Sequence, residues 1–204
     1  DWNEKINLTA ILDDEGIAVK HFLDCLLVSK AVDFKKGDRV IDVGTGAGFP
    51  GLVIAAAYPD VEVTLLDSTG KKLKAVENMA QEMGVKNAEV IHMRAEEAAQ
   101  LSKYREQFDF ATARAVAALP VLSEYCLPFV KQGGSFVSMK SAESNEEMEA
   151  AKKAISILGG KIESDIVFDL VENMPRRIIT IKKNSQTPTK YPRPSAQIAK
   201  KPLK

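Results

Sequence analysis

Three glycines at alternate positions, Gly44, Gly46 and Gly48, stand within DVGTGAGFPG at 42–51. A side chain there would hold a ligand off the main chain, whereas glycine lets backbone N–H groups approach it closely. The stretch follows the β-branched run RVIDVG at 39–44 and precedes LVIA, an apolar helix start. That places the loop at the carboxyl edge of a strand, where open α/β sheets hold their ligands. Asp67 closes the next β-branched run, roughly twenty residues beyond Gly44, and a carboxylate so placed accepts both ribose hydroxyls of a nucleoside. The pair selects a nucleoside-bearing cofactor. A dinucleotide fingerprint requires Gly or Ala where Phe49 stands. Asp42, two residues before Gly44, would repel a pyrophosphate and attract the ammonium and sulfonium of S-adenosylmethionine. The expected cofactor is therefore S-adenosylmethionine, with a dinucleotide and a ligand-free structural loop as the alternatives.

Further residues fall near the same edge. Ala95 and Glu96 follow the third β-branched run, where an acid and an adjacent amide suit the adenine edge; an exposed glutamate at a helix start is the bland alternative. Arg114 follows the fourth run, as a ligand contact or a structural ion pair. Lys140 ends the fifth and is a candidate for base or phosphate contacts, as is Arg114, in a positioning role; a surface role is the alternative for Lys140. His21 and Asp24 share a helix face at i and i+3, and they and His92 are read as structural. Two separated histidines without an HExxH motif give no metal site.

The acceptor is approached by elimination. Exocyclic amino methylation usually uses an Asn/Asp/Ser-Pro-Pro-aromatic loop after the fourth strand, but the chain reads Ala113-Arg114-Ala115-Val116-Ala117 there. Methylation at pyrimidine carbon-5 needs a cysteine nucleophile, and Cys126 at a helix end reads as core. A ring nitrogen such as guanine N7 carries a free lone pair and no proton, so positioning and electrostatics suffice. Oxygen and carboxylate acceptors stay open.

These residues need a scaffold of alternating strands and helices. Candidate strands are 39–44, 61–67, 88–94, 108–113, 134–140, 164–170 and 176–183, with helices near 15–30, 50–57, 70–83, 95–102, 118–130 and 143–158. Such alternation predicts a parallel sheet covered on both faces. Only VENMP separates the last two runs, which permits an antiparallel hairpin but no crossover. The expected fold is an α/β, Rossmann-like class I methyltransferase with a seven-stranded, mostly parallel sheet ending in one reversed strand. The expected organisation is an N-terminal helical segment over 1–37, a methyltransferase domain over 38–183 and a basic C-terminal tail over 184–204.

The chain has 204 residues, enough for one domain with a full core. Its 28 basic and 28 acidic side chains cancel, yet residues 174–204 carry nine basic residues and no acidic one. A chain split this way presents an anionic partner to one face. Arg176, Arg177, Lys190, Arg193, Lys200 and Lys201 are the candidate RNA contacts, with a solvated tail as the alternative. Two cysteines outside any CxxC pair fit a reducing, cytoplasmic setting. No apolar run reaches the roughly 18–20 residues of a membrane span. The start at Asp1-Trp2-Asn3 suggests that further N-terminal residues precede it.

In combination, WNEKINLTAI (2–11), KHFLDCL (20–26), DVGTGAGFPG (42–51), LLDSTGKKLKAVE (65–77), RAEE (94–97), ARAVA (113–117) and TPTKYPR (187–193) resemble the bacterial ribosomal RNA small subunit methyltransferase G family, also called glucose-inhibited division protein B. The resemblance implies methyl transfer from S-adenosylmethionine to N7 of one guanine in the decoding region of 16S ribosomal RNA, with the RNA or the 30S subunit as partner. It implies Gly44, Phe49, Ala95, Glu96 and Arg114 as cofactor positions. Asp42, Gly46 and Asp67 join them from the arguments above. The chain departs from the family after Arg193, where Ala196 and Ile198 stand in place of an expected Gly and Pro. A small-molecule or protein methyltransferase and a non-catalytic RNA-binding module are the competing readings.

Overall fold

The computed structural model describes residues 6, 8–142 and 145–203. Residues 2–5 and 7 of the N-terminal motif, the first two positions of the helix expected at 143–158, and Lys204 lie outside the described residues.

Seven strands form one sheet: β1 (Arg39–Val43), β2 (Glu62–Asp67), β3 (Ala88–His92), β4 (Phe108–Arg114), β5 (Val130–Ser141), β6 (Gly160–Asp169) and β7 (Pro175–Lys183). The order is β3-β2-β1-β4-β5-β7-β6. The first five run parallel, and β7 is antiparallel to both β5 and β6. The reversed strand was expected at the end of the sheet; it lies inside, and β6 forms the edge. The reason is the short β6–β7 turn. It lets β7 fold back beside β5, where Ile178, Ile179 and Ile181 are buried between neighbours on both sides. His92, expected to be half-buried, is exposed on β3 and bonds the Ser68 carbonyl at 3.0 Å.

Both faces of the sheet are covered, so consecutive strand residues are buried in opposite directions. Ile41, Val43, Leu66 and Phe136 join one cluster, and Val40, Leu65 and Val137 join the other. The second face is closed by α2 (Gly51–Ala57) and α3 (Gly70–Glu82), whose Leu73, Val76 and Ala80 recur at helical spacing and are buried. The first is closed by α4 (Ala95–Ala98), α5 (Leu119–Cys126) and α6 (Asn145–Ile157). Pro120 sits in the first turn of α5, where its missing N–H would have had no partner. Each fully buried Leu or Ile contributes about 1.5–3 kcal/mol. The N-terminal rod opens with α1 (Asp14–Ile17), continues through a π-helical turn Ala18–Leu23 and ends in a 3-10 turn Leu27–Lys30. Asp13 caps it, accepting from Gly16 N–H at 2.6 Å.

The C-terminal residues do not hang free. Arg105 ties them down, donating to the carbonyls of Tyr191 and Thr187 at 2.8 Å each, and Thr187, Tyr191 and Ile198 are buried. A short helix absent from the sequence reading, α7 (Ser195–Lys200), ends this strap. Lys183, one of the nine basic residues, is fully buried and donates to Glu106 and to the carbonyls of Leu127 and Val130 at 2.7–3.0 Å. An ammonium has three donors, and all are used here.

Candidate functional site

The glycine loop is fixed to β2 from above and to the sheet from below. Gly44 N–H and Thr45 N–H both donate to the Leu66 carbonyl, at 2.8 and 3.0 Å. Gly46 N–H donates to Asp67 Oδ2 at 2.9 Å and Thr69 N–H to Oδ1 at 2.8 Å. Gly44 has φ +74°, and a Cβ built on it would lie 2.8 Å from a Val116 methyl. Only glycine closes that turn without displacing Val116. Asp42 is fully buried beneath the loop, accepting from Gly51 N–H at 2.8 Å and the Thr112 hydroxyl at 3.2 Å. This corrects the expectation that Asp42 faces the ligand: its carboxylate is turned to the loop backbone and to β4. Burial pushes its carboxyl up to about 6, against the lowering effect of its hydrogen bonds from Gly51 N–H and the Thr112 hydroxyl. Asp42 therefore shapes the loop from behind.

In front of the loop lies a cleft of about 440 Å³ across the ends of β1, β2, β3 and β4. Gly44, Gly46, Phe49, Asp67, Ala95, Glu96 and Arg114 all line it, which brings together every sequence-predicted cofactor residue except Asp42. This is the point where strand order reverses, between β1 and β4, the usual ligand crevice of such sheets. Glu96 is nearly buried and receives Arg94 Nε at 2.9 Å. Burial, the largest single influence, would raise its carboxyl, but hydrogen bonds from Arg94, from its own backbone and from Ser195, with the Arg94 charge, together outweigh that and hold it below its usual value.

Two residues read from sequence as structural stand at this site: His21 lines the cleft, and Asp24 lies behind Arg114, on the neighbouring cavity. His21 stacks on Phe49 with ring centroids 4.7 Å apart, while its Nε2 meets the Thr9 hydroxyl at 2.7 Å. Burial, then the neighbouring Arg114, holds its pKa below the ordinary histidine value. Asp24 is 6% exposed and receives Arg114 at 3.0 Å and Arg176 Nε at 3.1 Å. Arg114 also donates to the Lys20 carbonyl at 3.0 Å and lies over the Phe49 ring. The i, i+3 spacing of His21 and Asp24 was the available signal; Arg114, the partner they share, is about 90 residues away. Both cysteines are buried, and burial pushes the Cys25 thiol up to about 12 and that of Cys126 well above its ordinary value. Neither is a thiolate nucleophile.

The expected RNA contacts divide. Arg177 is 3% exposed and doubly bonded to Asp165, at 2.6 and 2.5 Å. Arg193 is held by the fully buried Glu124, which accepts from Arg193 Nε at 2.8 Å and from its NH2 at 2.6 Å. Both were expected to meet phosphate; each is instead paired with a carboxylate, Arg177 with Asp165 on the edge strand and Arg193 with Glu124 in the core. Arg176 lines a second cavity beside Asp24. Lys190, Lys200 and Lys201 are exposed. Lys140 is largely covered and bonded to Glu147. Among the described residues no group of three His, Cys, Asp or Glu could hold a metal, and no helix is long and apolar enough to cross a membrane.

A family profile described as rRNA small subunit methyltransferase G (GidB) matches residues 1–179. The chain belongs to the rRNA small subunit methyltransferase G family. A relative of that name from Acetivibrio thermocellus is 50% identical over the whole chain and 84% of its own length, and one from Clostridium perfringens is 47% identical over the whole chain and 86% of its own. Among solved structures, the Bacillus YcgJ protein has a TM-score of 0.63 at 17% identity, covering 81% of this chain and all of that one. A SAM-dependent O-methyltransferase from Thermotoga maritima has a TM-score of 0.61 at 17% identity, covering 91% and 71%. These two establish the fold, and the relatives the enzyme class: an rRNA small subunit methyltransferase G is a methyltransferase whose cofactor is S-adenosylmethionine.

The cleft of this family member fits that cofactor. A Cβ at Gly44 would press on Val116, which lines the cleft beside the loop. Asp67 accepts Gly46 N–H of the loop on Oδ2 and Thr69 N–H on Oδ1, which leaves each oxygen a lone pair that would accept a ribose hydroxyl. Ala95 and Glu96 would frame the adenine. Asp67→Ala is expected to weaken cofactor binding by about 1–3 kcal/mol, the cost of a lost hydrogen-bond partner. Titration calorimetry measures it, and an unchanged Kd would remove Asp67 from the site.

Proposed function

We propose that the protein methylates N7 of a guanine in the decoding region of 16S ribosomal RNA, in the cytoplasm, on the RNA or on the 30S subunit. One observation carries the choice of acceptor. Where the cleft meets the neighbouring cavity, the two polar side chains that line both leave no free base between them: Arg114 is a guanidinium bound to Asp24, and both ring nitrogens of His21 are engaged, by Thr9 and by Arg114. A nucleophile that must lose a proton would need one. Guanine N7 does not, and its lone pair can displace a methyl in line once held.

S-adenosylmethionine supplies the methyl group, activated by its sulfonium. The residues do the rest by position. Asp67 and the loop amides would fix the ribose end, and Phe49, backed by His21, would form an apolar wall that keeps water from the transfer. Arg114, locked by Asp24 and the Lys20 carbonyl, marks the border between the cofactor side and the acceptor side. N7 lies on the deep, narrow major-groove edge of A-form RNA, so the base must be in a loop or turned out of its stack.

The test is transfer of labelled methyl to unmodified 30S particles and to extracted 16S RNA, followed by nucleoside analysis. Labelled 7-methylguanosine supports the reading, the better substrate identifies the partner, and label in any other nucleoside overturns it. Removing residues 184–204 would not isolate the electrostatic contribution, because Tyr191 and Ile198 are buried. Changing Lys190, Lys200 and Lys201 to glutamine spares those contacts. If they touch phosphate, the log–log salt slope of RNA binding falls by about one per lysine.

A further inference from the structure

A second cavity of about 600 Å³ adjoins the cofactor cleft and shares His21, Arg114 and Ala115 with it. Its other walls include Lys140, at the end of β5, and Glu147, in the first turn of α6. The two are locked together. Lys140 Nζ donates to the Ala117 carbonyl at 2.6 Å and to Glu147 Oε2 at 2.7 Å, and the same oxygen accepts Leu119 N–H at 3.1 Å. One carboxylate oxygen is thereby fixed between β5 and α5. Oε1 has no partner among the described residues, although Glu147 lines the cavity.

An ionised carboxylate only accepts hydrogen bonds, so this wall suits a ligand with two adjacent donors. On its Watson–Crick edge guanine offers such a pair, N1–H beside the N2 amino group; adenine, cytosine and uracil each have an acceptor in one of those places. That edge lies across the purine from N7. A guanine with N7 turned toward the cofactor cleft would present N1 and N2 to the second cavity, which Glu147 lines. Enzymes that act on an extruded base read it in this way.

We infer that the second cavity receives the target base, and that Glu147 selects guanine by accepting hydrogen bonds from N1–H and the N2 amino group. Lys140 is the positioning residue that holds the carboxylate in place. The inference rests on the guanine-N7 reading above and adds the group that recognises the base.

The test needs 16S RNA ligated to carry inosine at the methylated guanine. Inosine keeps N7 and N1–H and lacks only the amino group. The wild-type enzyme is expected to lose roughly 10- to 100-fold in kcat/KM on inosine, the range for a hydrogen bond to a charged group. Glu147→Ala should fall by a comparable factor on guanosine and show little further loss on inosine. Its Kd for S-adenosylmethionine should not change, since Glu147 is outside the cofactor cleft. Lys140→Met should erode discrimination, and Lys140→Arg should restore part of it. Equal rates of the wild type on inosine and guanosine would overturn the assignment without any variant. Full discrimination in Glu147→Ala, or in Glu147→Gln should the alanine variant not fold, would overturn it as well. If the wild type forms no 7-methylguanosine from guanosine RNA, the N7 reading itself has failed, and that appears before inosine is tried.

Discussion

Glu124→Ala is expected to lower the stability of the fold by about 3–5 kcal/mol, the cost of stranding one member of a buried ion pair. Glu124 is fully buried, and its two oxygens receive the Arg193 backbone N–H, Nε and NH2 at 2.9, 2.8 and 2.6 Å. Arg193 is itself mostly covered, so its guanidinium and backbone N–H lose their acceptor inside the protein. For a chain of this size the loss corresponds to a fall in Tm of roughly 6–20 °C. Scanning calorimetry measures it. A fall under about 1 kcal/mol would place this pair with ordinary surface ion pairs. Glu124→Gln keeps an acceptor and should recover part of the loss.

Arg114→Met should reduce kcat/KM for RNA by roughly 30- to 150-fold, equivalent to about 2–3 kcal/mol for a lost hydrogen bond between charged groups. The substitution keeps bulk beside Phe49 but removes the bonds to Asp24 and to the Lys20 carbonyl, both 3.0 Å. Asp24 is left with Arg176 alone. Asp24→Asn should act in the same direction, and the double variant should cost less than the two single losses combined, because the residues form one unit. Steady-state kinetics together with calorimetric cofactor binding measure both. If kcat/KM is unchanged in Arg114→Met, Arg114 has no part in placing the acceptor.

Much of this molecule is legible in its residues, and the boundary is a physical one. The parallel strands, the glycine loop and Asp67 are written in local patterns, short β-branched runs in the strands and glycine at left-handed positions. They emerge within a residue or so of their observed limits, except β5 and β6, which start about four residues earlier. The inward position of β7 was not legible, because the hairpin fixes its direction but not which of its two strands pairs with β5. The basic residues show the same limit more sharply. Arg177, Lys183 and Arg193 look like their exposed neighbours in sequence, yet their partners Asp165, Glu106 and Glu124 lie 12, 77 and 69 residues away. Local composition counts a charge without saying whether it is already spent. His21 and Asp24 fail in the opposite sense: they look ordinary until β4 and β7 deliver Arg114 and Arg176 to them.

The position of β6 has a consequence for how the protein behaves in a crowded solution. An edge strand offers a row of unpaired backbone groups that a strand from another molecule can extend. Here the exposed positions of β6 are Lys161, Glu163, Asp165, Val167 and Asp169. Four of the five carry charge, and a newcomer aligning against this rim would have to bring those groups into close quarters with its own. The strand that closes the sheet thus also guards it against aggregation, while its inner residues Ile162, Ile166 and Phe168 stay turned toward the molecule to which they belong.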